Sequence, residues 1–137
     1  MRQIIAALIV IGSLFVAPLA AQATNYPLKV VNRSDRDSWV TVYWAYHLTG
    51  WHIERAFCLK PGQKWDGGIN YSTPEIGPQI KVRAEVMHGD CRSGVYRDVE
   101  GRVNIPTNIR PYPYVGASIN GSGGNYNVEV KATILPN

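Results

Sequence analysis

The sequence predicts an all-β fold, a single antiparallel β-sandwich of about seven or eight short strands. Apolar and polar residues alternate with a period of two in several segments, which is typical of strands with one buried face. Turn-forming residues separate these segments about every 8 to 12 residues, as in sandwiches. No segment after residue 23 has the apolar spacing of a long helix. A small closed β-barrel is the alternative architecture that fits the same pattern.

The first half of the predicted domain contains three strands and one ambiguous segment. Residues 26–32, 39–48 and 51–58 alternate as strands do, and turn residues separate them. Residues 60–63 are Lys-Pro-Gly-Gln, which predicts a type II turn because proline and glycine fit its two central positions. Residues 64–70 contain Asp-Gly-Gly, from which we expect a hairpin or a bulge.

The second half contains four more strand segments. Residues 79–88 show the clearest alternation, with Ile, Val, Ala and Val at the inward positions. Residues 95–105 are polar, which predicts one or two strands at a sheet edge. Residues 114–120 and 126–135 are expected to form the last hairpin, across a glycine-rich tip at residues 121–125.

Residues 1–23 have the composition of a cleaved secretory signal peptide. Arg2 supplies a positive charge, residues 4–16 are mostly apolar, and Ala21-Gln22-Ala23 offers the small residues that a signal peptidase recognises. The apolar run is short for a membrane span, which needs about 20 residues. We therefore expect one domain at residues 24–137, secreted or periplasmic in a bacterium and not membrane-spanning after cleavage. An uncleaved membrane anchor is the alternative.

The two cysteines, Cys58 and Cys91, both belong to the predicted domain. An even number of cysteines in an oxidising compartment predicts a disulfide, and only one intramolecular pairing is possible. A redox or metal-binding thiol pair is the alternative, but the sequence has no C-x-x-C spacing to favour it.

Charge and motifs argue against several functional classes. The chain has 14 basic and 10 acidic residues without a block of like charge, so together with export we expect no nucleic-acid partner. It lacks G-x-S-x-G and H-E-x-x-H, and its three histidines, His47, His52 and His88, do not form a known ligand pattern. We expect no catalytic residue, no metal and no cofactor.

The segment WVTVYWAYHLTGWH at residues 39–52 contains three of the four tryptophans. Its even positions from Val40 to Leu48 are all apolar and are expected to face the core. The odd positions are expected to form an aromatic outer face, to which a second aromatic pair further along the chain is expected to contribute a rim. The resulting candidate ligand-binding residues are Trp39, Tyr43, His47, Trp51, Tyr112 and Tyr114.

An aromatic sheet face suits a sugar ligand, because weakly positive sugar C–H groups stack on the negative faces of aromatic rings. We therefore expect a non-catalytic domain that binds a carbohydrate, an envelope polymer or a protein partner. A covering of loops or of another subunit is the alternative interpretation of this face. A small periplasmic hydrolase or metal-binding protein is the alternative function, and a secreted inhibitor is a further one.

One segment of the sequence resembles known proteins. LKVVNRSDRDSWVTVYW, followed by GW and KPGQ, resembles the start of several small exported β-domains of unknown function and the opening strands of thaumatin-like proteins. The resemblance covers residues 28–63, and the cysteine-rich framework of thaumatin-like proteins is absent. It identifies no functional residue in this chain.

Overall fold

The protein is an all-β sandwich, as the sequence predicts. The computed structural model describes residues 24–45, 50–71, 79–105 and 114–133. It contains no helix in these ranges. The strands are β1 (Thr24–Ser34), β2 (Ser38–Ala45), β3 (His52–Leu59), β4 (Lys64–Tyr71), β5 (Gln79–Met87), β6 (Val95–Asn104), β7 (Tyr114–Ser122) and β8 (Asn125–Thr133). The predicted signal peptide lies outside the described residues and stays a prediction.

The strands form two four-stranded sheets. Sheet A has the order β4-β1-β7-β8, and sheet B has the order β3-β2-β5-β6. Among the described strands, hydrogen-bonded pairing ends at β4 and β8 in one sheet and at β3 and β6 in the other, which excludes the closed-barrel alternative. Every pair is antiparallel except β1 with β7, which are parallel. A parallel pair needs a long crossover, and between β1 and β7 the chain crosses to sheet B twice, for β2 and β3 and again for β5 and β6.

The core lies between the sheets and is built mainly from β-branched residues. On the central strands every second residue points inward, as the two-residue period of a strand requires. The largest fully buried apolar side chains are Leu28, Val30, Val40, Val42, Ile80, Val82, Val86, Val115 and Ile119. Trp44, Phe57 and Trp65 pack against this cluster while remaining partly exposed.

The segment at residues 64–70 differs from the prediction. It is neither a hairpin nor a bulge, because β4 pairs with β1 in continuous register from Lys64 to Tyr71. Gly67 lies beside the Trp65 indole, which would overlap any added Cβ atom. The Trp65 ring also stacks on Phe57 of β3, with 4.7 Å between the ring centres. The glycine therefore makes room for a packed tryptophan within a regular strand.

The predicted turn and disulfide are both confirmed. Gly62 has a φ of 83°, the left-handed conformation that a type II turn requires. Gln63 N donates to Lys60 O at 3.0 Å across this turn. Cys58 at the end of β3 is bonded to Cys91 in the loop between β5 and β6, with Cα atoms 6.1 Å apart. The bond indicates an oxidising, non-cytoplasmic setting. Within the described ranges, no helix has the length and hydropathy needed to cross a bilayer.

Candidate functional site

Three of the predicted aromatic residues lie on the outer face of sheet B. Trp39 and Tyr43 occupy positions of β2 that alternate with the buried Val40 and Val42. Trp51, just before β3, lies on the same face. Its ring contacts the ammonium group of Lys81, which is opposite Tyr43 in the strand pairing. Trp39 is 38% exposed, whereas Tyr43 and Trp51 are half-buried. These three residues are named the sheet B aromatics.

Lys81 of β5 holds two of these rings in place. Its Nζ atom lies 4.4 Å from the ring centre of Tyr43 and 4.4 Å from that of Trp51. The distance between the ring centres of Tyr43 and Trp51 is therefore at most twice 4.4 Å. Each cation–π contact stabilises by about 0.5 to 2 kcal/mol, depending on solvent exposure. Lys81 Nζ also lies 3.9 Å from Glu100 of β6, and its side chain is only 12% exposed.

Beside the aromatics, β5 and β6 form a network of paired charges. Arg83 donates from Nε to Asp98 Oδ1 at 2.9 Å, and its second nitrogen donates to the other carboxylate oxygen. This bidentate hydrogen bond lowers the pKa of Asp98 and raises the pKa of Arg83. Arg83 also lies 3.8 Å from Glu85. The face therefore presents fixed hydrogen-bond donors and acceptors next to flat rings.

A bulge changes the face that β3 presents. The register of β3 against β2 shifts between Val42 and Tyr43, so that Val42 is opposite Arg55 and Tyr43 is opposite Ile53. Simple alternation would put Ile53 on the same side as Phe57, which packs against the core. Because directly opposed residues share a face, the shift turns Ile53 outward beside Tyr43, where it is 66% exposed. Alternation alone thus gives the wrong side for Ile53.

The structure separates Tyr114 from the sheet B aromatics. Tyr114 lies at the start of β7 in sheet A, so it does not rim the same surface. His47 and Tyr112 lie outside the described residues, and so do Tyr46 and Leu48, for which the sequence predicts a place in the core. Within the described ranges, no ring-to-ring contact joins the sheet B aromatics, and Lys81 is the link between two of them.

Sequence reasoning missed the charged partners of these rings. Lys81 and Arg83 stand at outward positions of the clearest predicted strand, so the side of the sheet on which they lie could be predicted. The residues that contact them could not be predicted, because the contacts depend on the pairing of Tyr43 with Lys81 and of Lys81 with Arg102. Strand pairing is set by contacts between distant segments and leaves no local pattern in the sequence.

A groove of about 320 Å³ lies on the outer face of sheet A. Its floor includes Gly116 and Ser118 of the central strand β7. Lys29 of β1 and Lys131 of β8 stand on either side of Gly116, directly opposite it in the two strand pairings. Tyr114 lines one part of the groove, which is named the sheet A groove.

Among the described residues, three side chains with potential metal-binding atoms lie close together. Asp37 lies close to Cys58 and Cys91, but the two sulfur atoms are bonded to each other and offer no thiolate. His52 stacks on Trp44 with 4.5 Å between ring centres, and His88 packs on Tyr96 at 5.1 Å. Both histidines are therefore involved in ring packing.

A polar cluster at one end of the sandwich connects the two sheets. Tyr126 of β8 donates to Asp35 at 2.7 Å and accepts from Arg36 at 3.1 Å. The first of these bonds lowers the pKa of Asp35 and raises that of Tyr126. Arg36 also donates to the His88 carbonyl at 2.6 Å and lies over the Tyr96 ring. Because its polar groups form hydrogen bonds with one another, the cluster has a structural role.

No known family model matches the chain, and no curated protein sequence matches it significantly. The outer faces of the two sheets are therefore the features that bear on function.

Proposed function

We propose that the protein is an exported, non-catalytic domain that binds a carbohydrate on the outer face of sheet B. The observation that carries this proposal is the placement of Trp39, Tyr43 and Trp51 on one solvent-facing side of one sheet. Trp39 and Tyr43 are four residues apart on β2, or about 13 Å along the strand. That separation suits a chain of several sugar units, in which one unit stacks on Trp39 and another on Tyr43.

The charged neighbours supply what the aromatic rings lack. Sugar hydroxyl groups need hydrogen-bond donors and acceptors, and charged planar groups form the strongest such bonds. Arg83 and Asp98 are already fixed by their mutual hydrogen bonds, so a ligand would not have to order them. At the outward positions of β5 and β6 three cations, Lys81, Arg83 and Arg102, are matched by three anions, Glu85, Asp98 and Glu100. Arg97 of β6 is opposite the buried Val86 and does not belong to this face. This balance favours a neutral glycan over a polyanion.

The exposed Ile53 favours a second candidate, a protein partner on the same face. Its side chain is 66% exposed and lies opposite Tyr43, next to the sheet B aromatics. An aliphatic side chain adds no hydrogen bond to a sugar, whereas protein interfaces bury such groups beside aromatic anchors. The substitution Ile53→Ser distinguishes the two candidates, because it should lower the affinity for a protein partner and leave the affinity for a glycan unchanged.

Glycan titrations of the Trp39→Ala variant test the proposal. Neutral fragments of envelope polysaccharides are titrated into the protein while tryptophan fluorescence and heat are recorded. Loss of the stacking ring is expected to weaken binding at least tenfold, about 1.4 kcal/mol. Trp39 is only 38% exposed, so the variant also loses packing contacts, and the titrations are carried out well below its melting temperature.

Trp39→Phe is the matched control, since it keeps a flat ring and should retain most of the affinity. No response of the wild type to any neutral fragment would overturn the glycan proposal. Equal affinities of the wild type and Trp39→Ala would exclude this face as the site.

A further inference from the structure

The sheet A groove exists because the middle strand of its floor has small residues. Gly116 and Ser118 of β7 lie between longer side chains on β1 and β8. An added Cβ atom at Gly116 would meet only Tyr114 Cε1 within 4 Å, at 3.7 Å. Packing and backbone strain therefore do not explain the glycine, since its φ is not positive and the space above it is open.

Positive charge surrounds this open space. Lys29 and Lys131 are the direct neighbours of Gly116 on the two adjoining strands, about 10 Å apart across the sheet. Arg33 also lines the groove, whereas Glu129 is its only acidic lining residue within the described part of the chain. A bound anion above Gly116 would thus have an ammonium group on each side.

Both lysines are free to turn toward a ligand at little cost. Lys29 Nζ lies 3.8 Å from Asp66 of β4, and Lys131 Nζ lies 2.7 Å from Glu129 of its own strand. These pairs are exposed, with the two lysine side chains 40% and 72% accessible. Exposed ion pairs stabilise by about 0 to 1 kcal/mol, so exchange for a ligand anion is easy.

Tyr114 adds an apolar surface to one part of the groove. Its ring edge approaches the space above Gly116, as the 3.7 Å distance to an added Cβ atom shows. A ligand that placed its anionic group between the lysines would bring its adjoining atoms against this ring. A sugar ring presents C–H groups suited to such a contact.

We propose that the sheet A groove is a binding site for an anionic group carried on a sugar ring, with Lys29 and Lys131 holding the anion and Tyr114 contacting the sugar. A carboxylate of a uronic acid and a phosphate of a sugar phosphate share this chemistry. The site is independent of the proposed function, because it lies on the opposite sheet and uses none of the sheet B aromatics.

Titration of the whole protein with a uronic-acid trisaccharide, followed by calorimetry and amide NMR shifts, tests this site. Binding is expected to shift the amide signals of Gly116 and Ser118. The Lys29→Gln/Lys131→Gln variant should bind at least tenfold more weakly. Gly116→Val fills the groove with a residue that strands favour, so it should abolish binding while the protein stays folded.

Three comparisons distinguish a sugar-borne anion from simpler explanations. Glucose 6-phosphate replaces the carboxylate by a phosphate and should bind in the same groove. Lys60→Gln/Arg92→Gln is the control variant, because it removes two exposed cations elsewhere and should leave the affinity unchanged. A neutral trisaccharide should bind this groove at least tenfold more weakly than the uronic-acid trisaccharide.

Four results would overturn the proposal. The first is that neither sugar anion shifts the signals of the groove. The second is that the control variant loses as much affinity as the lysine variant, which would indicate general charge attraction. The third is equal binding of the neutral trisaccharide in this groove, and the fourth is equally tight binding of inorganic phosphate. If Gly116→Val unfolds, the binding affinities of Gly116→Ala and of the Lys29→Gln/Lys131→Gln variant still test whether the ligand binds in the groove.

Discussion

Asn32, at 0% exposure, illustrates how one polar residue organises several chain segments. Its Nδ2 donates to the carbonyls of Arg36 and Leu59, at 2.8 and 2.9 Å. Its Oδ1 accepts from the backbone N and the hydroxyl of Ser34. Its backbone is hydrogen-bonded to the turn at Gly62 and Gln63. The end of β1, the following loop and the end of β3 are thus held by one satisfied side chain.

Asn32→Ala is expected to destabilise the protein by about 3 kcal/mol, because it removes four hydrogen bonds of a buried side chain. Urea unfolding monitored by tryptophan fluorescence measures the loss. Asn104→Ala, at an exposed position of β6, is the control and should change stability by less than about 0.5 kcal/mol. Similar losses in the two variants would contradict the role assigned to Asn32.

At the scale of elements, the Arg83–Asp98 pair connects β5 to the edge strand β6. Hydrogen bonding from Arg83 lowers the pKa of Asp98 in the folded protein. The stability gained is therefore present above the unfolded pKa of about 3.9, and it is lost as the pH falls through the lower folded value. The Asp98 side chain is 48% exposed, so solvent screening limits the gain to below about 1 kcal/mol.

Asp98→Asn should lower stability at pH 6 and should reduce the further loss of stability between pH 5 and pH 2. Thermal unfolding across this pH range measures both effects. Asp66→Asn is the comparison variant, since its carboxylate is 72% exposed and lies 3.8 Å from Lys29. An unchanged slope of stability against pH in Asp98→Asn would refute the assigned coupling.

Local chemistry explains which elements the sequence predicts and which it does not. The alternation at residues 79–88 is visible because the buried Ile80 and Val82 alternate with charged residues on one strand. The Lys-Pro-Gly-Gln turn is predictable because its conformation depends on its own residues. The sequence around Gly67 predicts a turn or a bulge, since the Trp65 ring that fills the space beside this glycine is evident only in the folded strand. Sheet membership also depends on distant contacts, so the sequence predicts the wrong sheet for Tyr114.

The candidate site shows the same division. Alternation correctly separates the buried Val40 and Val42 from the outward Trp39 and Tyr43. It cannot reveal that Lys81 lies between Tyr43 and Trp51, because this contact requires the register of three strands. Neither could the flanking of Gly116 by Lys29 and Lys131 be predicted, since the parallel pairing of β1 with β7 leaves no pattern in either strand.

For the whole molecule, the disulfide is the only covalent link between chain segments that are distant in sequence within the described ranges. It joins residues 33 positions apart. Such a link stabilises by about 4 kcal/mol on the chain-entropy model. Reduction should therefore lower the melting temperature markedly, and the Cys58→Ala/Cys91→Ala variant should melt near the reduced wild type.

Differential scanning calorimetry with and without a reducing agent measures this effect. The reducing agent should not change the melting temperature of the double alanine variant, which serves as the control. Equal melting temperatures of the oxidised and reduced wild type would contradict a stabilising role of the bond.

The central position of β1 in sheet A determines the order in which the molecule can be completed. Its two neighbours are β4, at residues 64–71, and β7, whose paired residues are 115–121. All four strands of sheet B lie between residues 38 and 104. In a chain that emerges from its N-terminus, through a ribosome or a membrane pore, all of sheet B and β4 can emerge while β1 still lacks β7 as its second neighbour. β1, the first strand to emerge, is therefore among the last to be paired on both sides. Sheet A is completed only after most of the chain has emerged.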